Sequence, residues 1–253
     1  MRFYADWHTH TCYSHGVGTV LDNAYAAQRR GLKEIAIADH GPANLFGVGV
    51  GNLDTFACIR SDIEEAKRQV SGVKVLYAAE ANVIDTDGTI DIPLPMQDVF
   101  DLLLIGLHIL VKPRSLWRAM PIAYSNIMAK VCRQGERQAL VKNTDMLVAA
   151  VHRNRVHIVT HPGYRLPIDT RELAKACVVT GTAMEINSGH RHTTCDYLRR
   201  AAETGVLFAI GSDAHEPRRV GDLTAGWNLA RQAGLDPQQI LNVSPQGREW
   251  RRR

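Results

Sequence analysis

Two pairs of side chains spaced two apart define the chemistry to look for. His8 and His10 flank Thr9 near the amino end, and Asp213 and His215 flank Ala214 far along the chain. In an extended segment such side chains project to the same side, so each pair can chelate one cation. The other candidates are Asp39-His40, Glu80, His108 and His161, each closing a short apolar run, and His15 just beyond the first pair. One His-x-His pair arises easily by chance. Seven of the eleven histidines at the ends of apolar runs, or in the loops that follow, would rarely do so. A lone histidine is ordinarily packed or solvent-facing, and that bland reading is preferred for His152, His157, His190 and His192.

The set His8, His10, His15, His40, Glu80, His108, His161, Asp213 and His215 exceeds what one tetrahedral zinc with an open position can use. More than one divalent cation is therefore expected. Imidazole suits zinc, iron, nickel and copper, and mixed imidazole-carboxylate sites also accept manganese, so zinc or manganese is expected, with iron as the alternative. Asp6 and Asp39, beside these histidines, either orient imidazoles or cap strand ends.

Something must carry these residues to one place. Apolar runs at 2–6, 34–38, 74–79, 102–107, 157–160, 183–187 and 207–211 read as strands, alternating with helical stretches at 19–30, 53–70, 122–153, 170–180, 194–204 and 223–232. That alternation is the signature of βα units around a parallel sheet. Gly31, Gly181, Gly205 and Gly234 stand where helices should end. Gly135 predicts a break inside 122–153, and Asp87-Gly88 predicts a small hairpin or loop. In a parallel barrel all strand C-termini open on one face, which is where the histidines and acids fall.

The 253 residues, 45% hydrophobic and 22% charged, fit one large α/β domain. Five scattered cysteines suggest neither a disulfide framework nor a zinc knuckle. With no apolar run long enough to span a membrane, a cytoplasmic protein is expected. The net charge of +4 is mild and gathers in the final arginines, a solvated basic tail at 246–253. The chain lacks the G-x-S-x-G and P-loop patterns.

The pieces Asp6-Trp7-His8-Thr9-His10-Thr11, Ala38-Asp39-His40-Gly41-Pro42, Glu80-Ala81-Asn82, Gly106-Leu107-His108, Thr160-His161-Pro162-Gly163, Glu185-Ile186-Asn187 and Gly211-Ser212-Asp213-Ala214-His215 occur in this order. Together they resemble the PHP (polymerase and histidinol phosphatase) family, and within it the small stand-alone bacterial phosphatases. The resemblance implies a single-domain distorted (β/α)7 barrel over residues 1–245, TIM-barrel-like, with a trinuclear metal site at the C-terminal strand ends. It further implies that His8, His10, Glu80 and Asp213 hold a first cation. Glu80 would bridge to a second, shared with His108 and His161, and His15, His40 and His215 would hold the third. The stretch 111–155 looks longer and more basic than in compact relatives, which suits a helical lid, a subunit contact or a solvated surface helix.

The expected reaction is hydrolysis of a phosphate monoester, with a hydroxide held by the metals attacking phosphorus and Glu80, Asp213 and His215 as the catalytic core. Arg165, Arg191, His190 and His192 follow strand ends and are candidates to hold the phosphate or protonate the leaving group. The alternative is a phosphodiesterase or exonuclease acting on nucleotides or short oligonucleotides, although no basic stripe interleaved with aromatics is present. An amidohydrolase barrel fits less well because Glu80 replaces its usual mid-barrel lysine. A metal-binding regulatory module fits poorly with so complete a ligand set. The expected partner is a small phosphorylated substrate, without membrane association, and a homo-oligomer stays open.

Overall fold

A computed structural model describes residues 3–190 and 192–243. Arg2, Arg191 and the basic tail at 246–253 lie outside the described residues.

The apolar runs become strands because both of their faces are buried. In β3 (Lys74–Asn82), Val75, Tyr77, Ala79 and Ala81 belong to the apolar layer shared with the helices, while Leu76 and Ala78 belong to a second, inner cluster. That inner cluster also takes Ala5 and Trp7 from β1 (Ala5–Thr9), Ala36 from β2 (Glu34–Ile37), and Leu102 and Leu104 from β4 (Leu102–Gly106). Ile158 of β5 (Ile158–Val159), Ala183 of β6 (Ala183–Asn187) and Ala209 of β7 (Phe208–Gly211) extend it around the remaining strands. Near-continuous apolar runs are what strands buried on both faces require.

The seven strands pair in sequence order, every pair parallel. Beyond β7 the His10 backbone N–H donates to the Ala214 carbonyl at 2.8 Å, and Thr9 bridges to Ala214, so the last strand meets the first. The expected seven-stranded α/β barrel is the observed fold.

Helices α1 (Val20–Arg29), α2 (Thr55–Gln69) and α6 (Thr170–Thr180) follow strands, as do α7 (Cys195–Ala202) and α8 (Thr224–Ala233), and a short α3 (Leu94–Gln97) adds to the expected set. Thr19 and Asp22 close α1 with a reciprocal capping box. Gly181 and Gly234 end α6 and α8 in the left-handed conformation.

The expected helix over 122–153 is two, α4 (Leu116–Met128) and α5 (Arg133–Arg153), packed against each other. The break falls at 129–132, not at Gly135, which sits in the first turn of α5. A Cβ at Gly135 would run into the Met128 backbone, so glycine there permits the close approach of the two helices rather than interrupting one. The 85–91 segment forms the expected small hairpin, with an antiparallel bridge between Val83 and Ile90.

Candidate metal centre

Strand alternation carries Glu80 inward. Leu76, Ala78 and Glu80 lie on one face of β3, and Glu80 ends the apolar layer with a fully buried carboxylate. Its Oε1 lies 2.9 Å from His161 Nε2 and 3.5 Å from His108 Nε2, while its Oε2 lies 2.8 Å from His40 Nδ1 and 3.4 Å from His8 Nε2. The same parity brings Thr160 inward to donate to Glu80 Oε1 at 2.5 Å.

The two pairs from opposite ends of the chain meet beside it. Nε2 atoms of His8 and His10 are 3.1 Å apart, and His10 Nε2 is 3.2 Å from Asp213 Oδ1. His10, His40 and His215 gather on the other side. His15 stands at the rim, its ring 4.0 Å from that of His215 and its Nδ1 3.2 Å from the Val48 carbonyl.

Four overlapping groups have donor atoms all within 4.8 Å of one another: His8-His10-Asp213, His8-Glu80-His161, His40-Glu80-His108 and His10-His40-His215. Eight of the nine expected ligands therefore enter at least one group, and His15 flanks them. The donors suit divalent cations for a second reason. His108 Nε2 and His215 Nε2 are buried with no hydrogen-bond partner, and Glu80 Oε2 and His40 Nδ1, although 2.8 Å apart, are not aligned for a hydrogen bond. Buried polar atoms are seldom left so, and these are the atoms a cation would use.

The atoms facing away from the centre are held. His8 Nδ1 lies 2.6 Å from Glu185 Oε1, His108 Nδ1 2.6 Å from Asn82 Oδ1, and His215 Nδ1 2.9 Å from the Asp213 carbonyl. Glu185 Oε2 accepts from the His161 backbone N–H at 2.6 Å, and Asn187 donates to Asp213 Oδ2 at 3.1 Å. Partners of this kind orient metal-binding imidazoles and fix their tautomers. His161 and Asp213 both have positive φ, 27° and 52°. Such backbone strain in non-glycine residues costs on the order of 1–3 kcal/mol each and collects at functional sites.

The electrostatics follow from burial against mixed charge. Burial pushes the Glu80 carboxyl up, but His40, His8 and His108 outweigh it and hold the group well below the usual carboxylate range. Asp213 is likewise held low, against burial, by His8, His10 and His190. Burial disfavours a charged His8, yet Glu185, Asp213 and Glu80 raise it well above the ordinary imidazole value. His10 is driven the other way, by burial and then by His40. Burial and the neighbouring His215 bring His15 down to about 4, so it is a neutral imidazole at neutral pH, the form a cation binds.

Asp6 accepts from Ser212 and from the Gly221 backbone N–H, and Asp39 accepts from Thr11 and Ser14. Both tie strand ends to loops and neither touches a ring, so of the two readings open to them the capping one holds. His157 is packed, its Nδ1 accepting from the Leu103 backbone N–H, and His152 is exposed on α5. These two line a separate cavity of about 680 Å³ that opens beside the starts of β5, β6 and β7.

His190 departs from the bland reading. Its Nε2 is 3.1 Å from Asp213 Oδ2, and its ring stacks on Tyr164 with centroids 3.9 Å apart. His192 points its Nε2 at the Pro162 carbonyl, 3.3 Å away, and Arg165 is exposed over the Tyr164 ring. Arg165 and His190 line a mouth of about 260 Å³ together with His15, His40, His108, His161, Asp213 and His215. Glu185, Asn82, Asn187 and Tyr164 take no role from sequence reasoning alone. An inward parity at the end of an apolar run is the signal that could have found Glu185.

Residues 6–188 match the family model described as PHP domain. A probable phosphatase of Caldanaerobacter subterraneus is 30% identical over 254 residues, covering 96% of this chain and 89% of its own. The probable phosphatase YcdX of Escherichia coli is 29% identical, with 95% and 90% covered. Among solved structures, histidinol phosphate phosphatase from Lactococcus lactis, complexed with zinc, L-histidinol and phosphate, superposes with a TM-score of 0.59. It covers 93% of this chain and 95% of its own at 15% identity, a likeness of fold.

Proposed function

The chain belongs to the PHP domain family, and from that premise we propose that it hydrolyses a phosphate monoester at three divalent cations held by the nine clustered side chains. The observation that carries this reading is Glu80, whose buried Oε1 faces His108 and His161 while its Oε2 faces His8, His10 and His40. A carboxylate so placed would help hold more than one cation.

Divalent cations bound there supply Lewis acidity to phosphoryl oxygens and lower the pKa of water. The chain supplies position. His8, His10, His40, His108, His161, Asp213 and His215 present donors inward, and His15 completes the set at the rim. Glu185 and Asn82 fix the His8 and His108 rings, while Asn187 and His190 fix the Asp213 carboxylate. His190 also stands at the mouth, stacked on Tyr164, where it is placed to pass a proton to the departing alcohol oxygen. Arg165 at the same mouth carries a positive charge toward the incoming phosphate, and His192 supports the loop between them. Zinc or manganese suits the donors, with iron next. The histidinol phosphate phosphatase of Lactococcus lactis, seen with zinc and phosphate, is in keeping with a monoester.

Phosphate release from p-nitrophenyl phosphate in manganese or zinc, compared with turnover of bis(p-nitrophenyl) phosphate, tests this. The monoester should be preferred, and Glu80→Gln and Asp213→Asn should each lower its turnover by at least about 100-fold, the upper range for loss of a mere supporting residue. Undiminished activity in both variants, or preference for the diester, overturns it.

A further inference from the structure

A further cavity, of about 420 Å³, lies between α4 and the strand-end loops that carry Val83 and His108. It falls in the size range of small-molecule sites, roughly 300–1,000 Å³. Val83, Ile84, Leu107, Ile122, Met146 and Leu166 form much of its wall. Leu107, His108, Ile109 and Arg165 line both this cavity and the metal-site mouth, so the two are contiguous.

Its carboxylate and its two amides are already committed, whereas Lys130 and Arg165 add two cations to the lining. Asp85 faces Arg118 at 3.4 Å and accepts from the Thr86 backbone N–H. Asn126 and Asn143 bond reciprocally at 3.0 and 2.9 Å, and Asn143 also donates to the Pro167 carbonyl. No unpaired carboxylate among the described lining residues is left to recognise an amine, and both amides are occupied. What the cavity chiefly offers a ligand is apolar surface, with Lys130 and Arg165 as its cations, beside a site proposed to take phosphate.

We propose that this cavity receives the alcohol half of the ester, so that the substrate is the phosphate of a largely apolar alcohol. This rests on the phosphomonoesterase reading, and it assigns α4, whose residues close the cavity, to substrate selection. The occupant follows from continuity: a phosphoryl group at the metal site directs its ester oxygen past His108 and Ile109 into the apolar space.

A series of n-alkyl phosphates from methyl to octyl, with added manganese, tests it. The kcat/KM should rise about fourfold for each methylene buried, until the cavity is filled. Ala119→Trp and Ala123→Phe, which place a ring in the cavity from α4, should flatten the series and leave methyl phosphate within about twofold of wild type. Calorimetric titration with octyl and methyl phosphate reads the same preference without turnover. An octyl advantage of tenfold or more in wild type, abolished in the filled variants, supports the cavity even where no phosphate is released, in which case only the hydrolytic reading fails. Equal affinity for the two esters, or an octyl preference that survives both substitutions, overturns the inference. A cavity closed by a second copy of the chain would give that flat response.

Discussion

At Glu185 two oxygens perform separate tasks: Oε1 sits 2.6 Å from His8 Nδ1 and Oε2 accepts from the His161 backbone N–H. Glu185→Gln keeps the shape, but an amide cannot accept on both atoms, so either the His8 ring or the strained His161 backbone loses its partner. Loss of such a supporting contact ordinarily weakens metal binding by about 10- to 100-fold. Competition with a fluorescent chelator should show that loss, whereas a residue of purely packing importance would move only the melting temperature. The candidate ligands are legible in the sequence, because imidazoles and acids at the ends of apolar runs stand out by type and place. Asn82 and Asn187 are not, since a neutral amide carries no charge signal and its partner is fixed only by the fold. His190 reads as packed or solvent-facing for the same reason: its neighbour Asp213 is brought to it by a different strand.

Strands set the direction in which each of these groups points. The period-2 alternation of Leu76, Ala78 and Glu80 is plain in the residue order, and so is the parallel barrel that seven apolar runs separated by helices require. The register shift between Asp6 and Thr9 is not, because a bulge depends on pairing with β2. Nor is the end of β3, which runs on through Glu80 to Asn82 and so puts the carboxylate inside the barrel rather than beyond it. Space matters as much as direction. A Cβ at Gly211 would run into the Glu185 carboxylate and lie 3.1 Å from His8 Cβ. Gly211→Ala should cost about 1–3 kcal/mol of stability, as overpacking does. It should also push Glu185 off His8. Thermal unfolding and metal titration of the folded variant check both; unchanged metal affinity would mean that β7 does not set the position of the ligand.

Across the whole molecule, closure of the sheet brings residues 206 positions apart into contact, as the Ser212 and Asp6 side chains show. The two candidate chelating pairs are stitched side by side by the His10 N–H to Ala214 carbonyl bond. The paired helices α4 and α5 then add, next to that centre, a cavity that the strand pattern alone does not announce, because it depends on where two helices of ambiguous length separate. Among the described residues no helix is long and apolar enough to cross a membrane. The central claim is that ligands from six strands share one group of cations, and metal stoichiometry reads it directly. Elemental analysis of protein dialysed after loading with manganese or zinc should find about three equivalents per chain, more than one tetrahedral site can hold. Glu80→Gln should lose more than a single equivalent, because it faces imidazoles on both sides. One equivalent or none in the wild type, or full retention in the Glu80 variant, would contradict it.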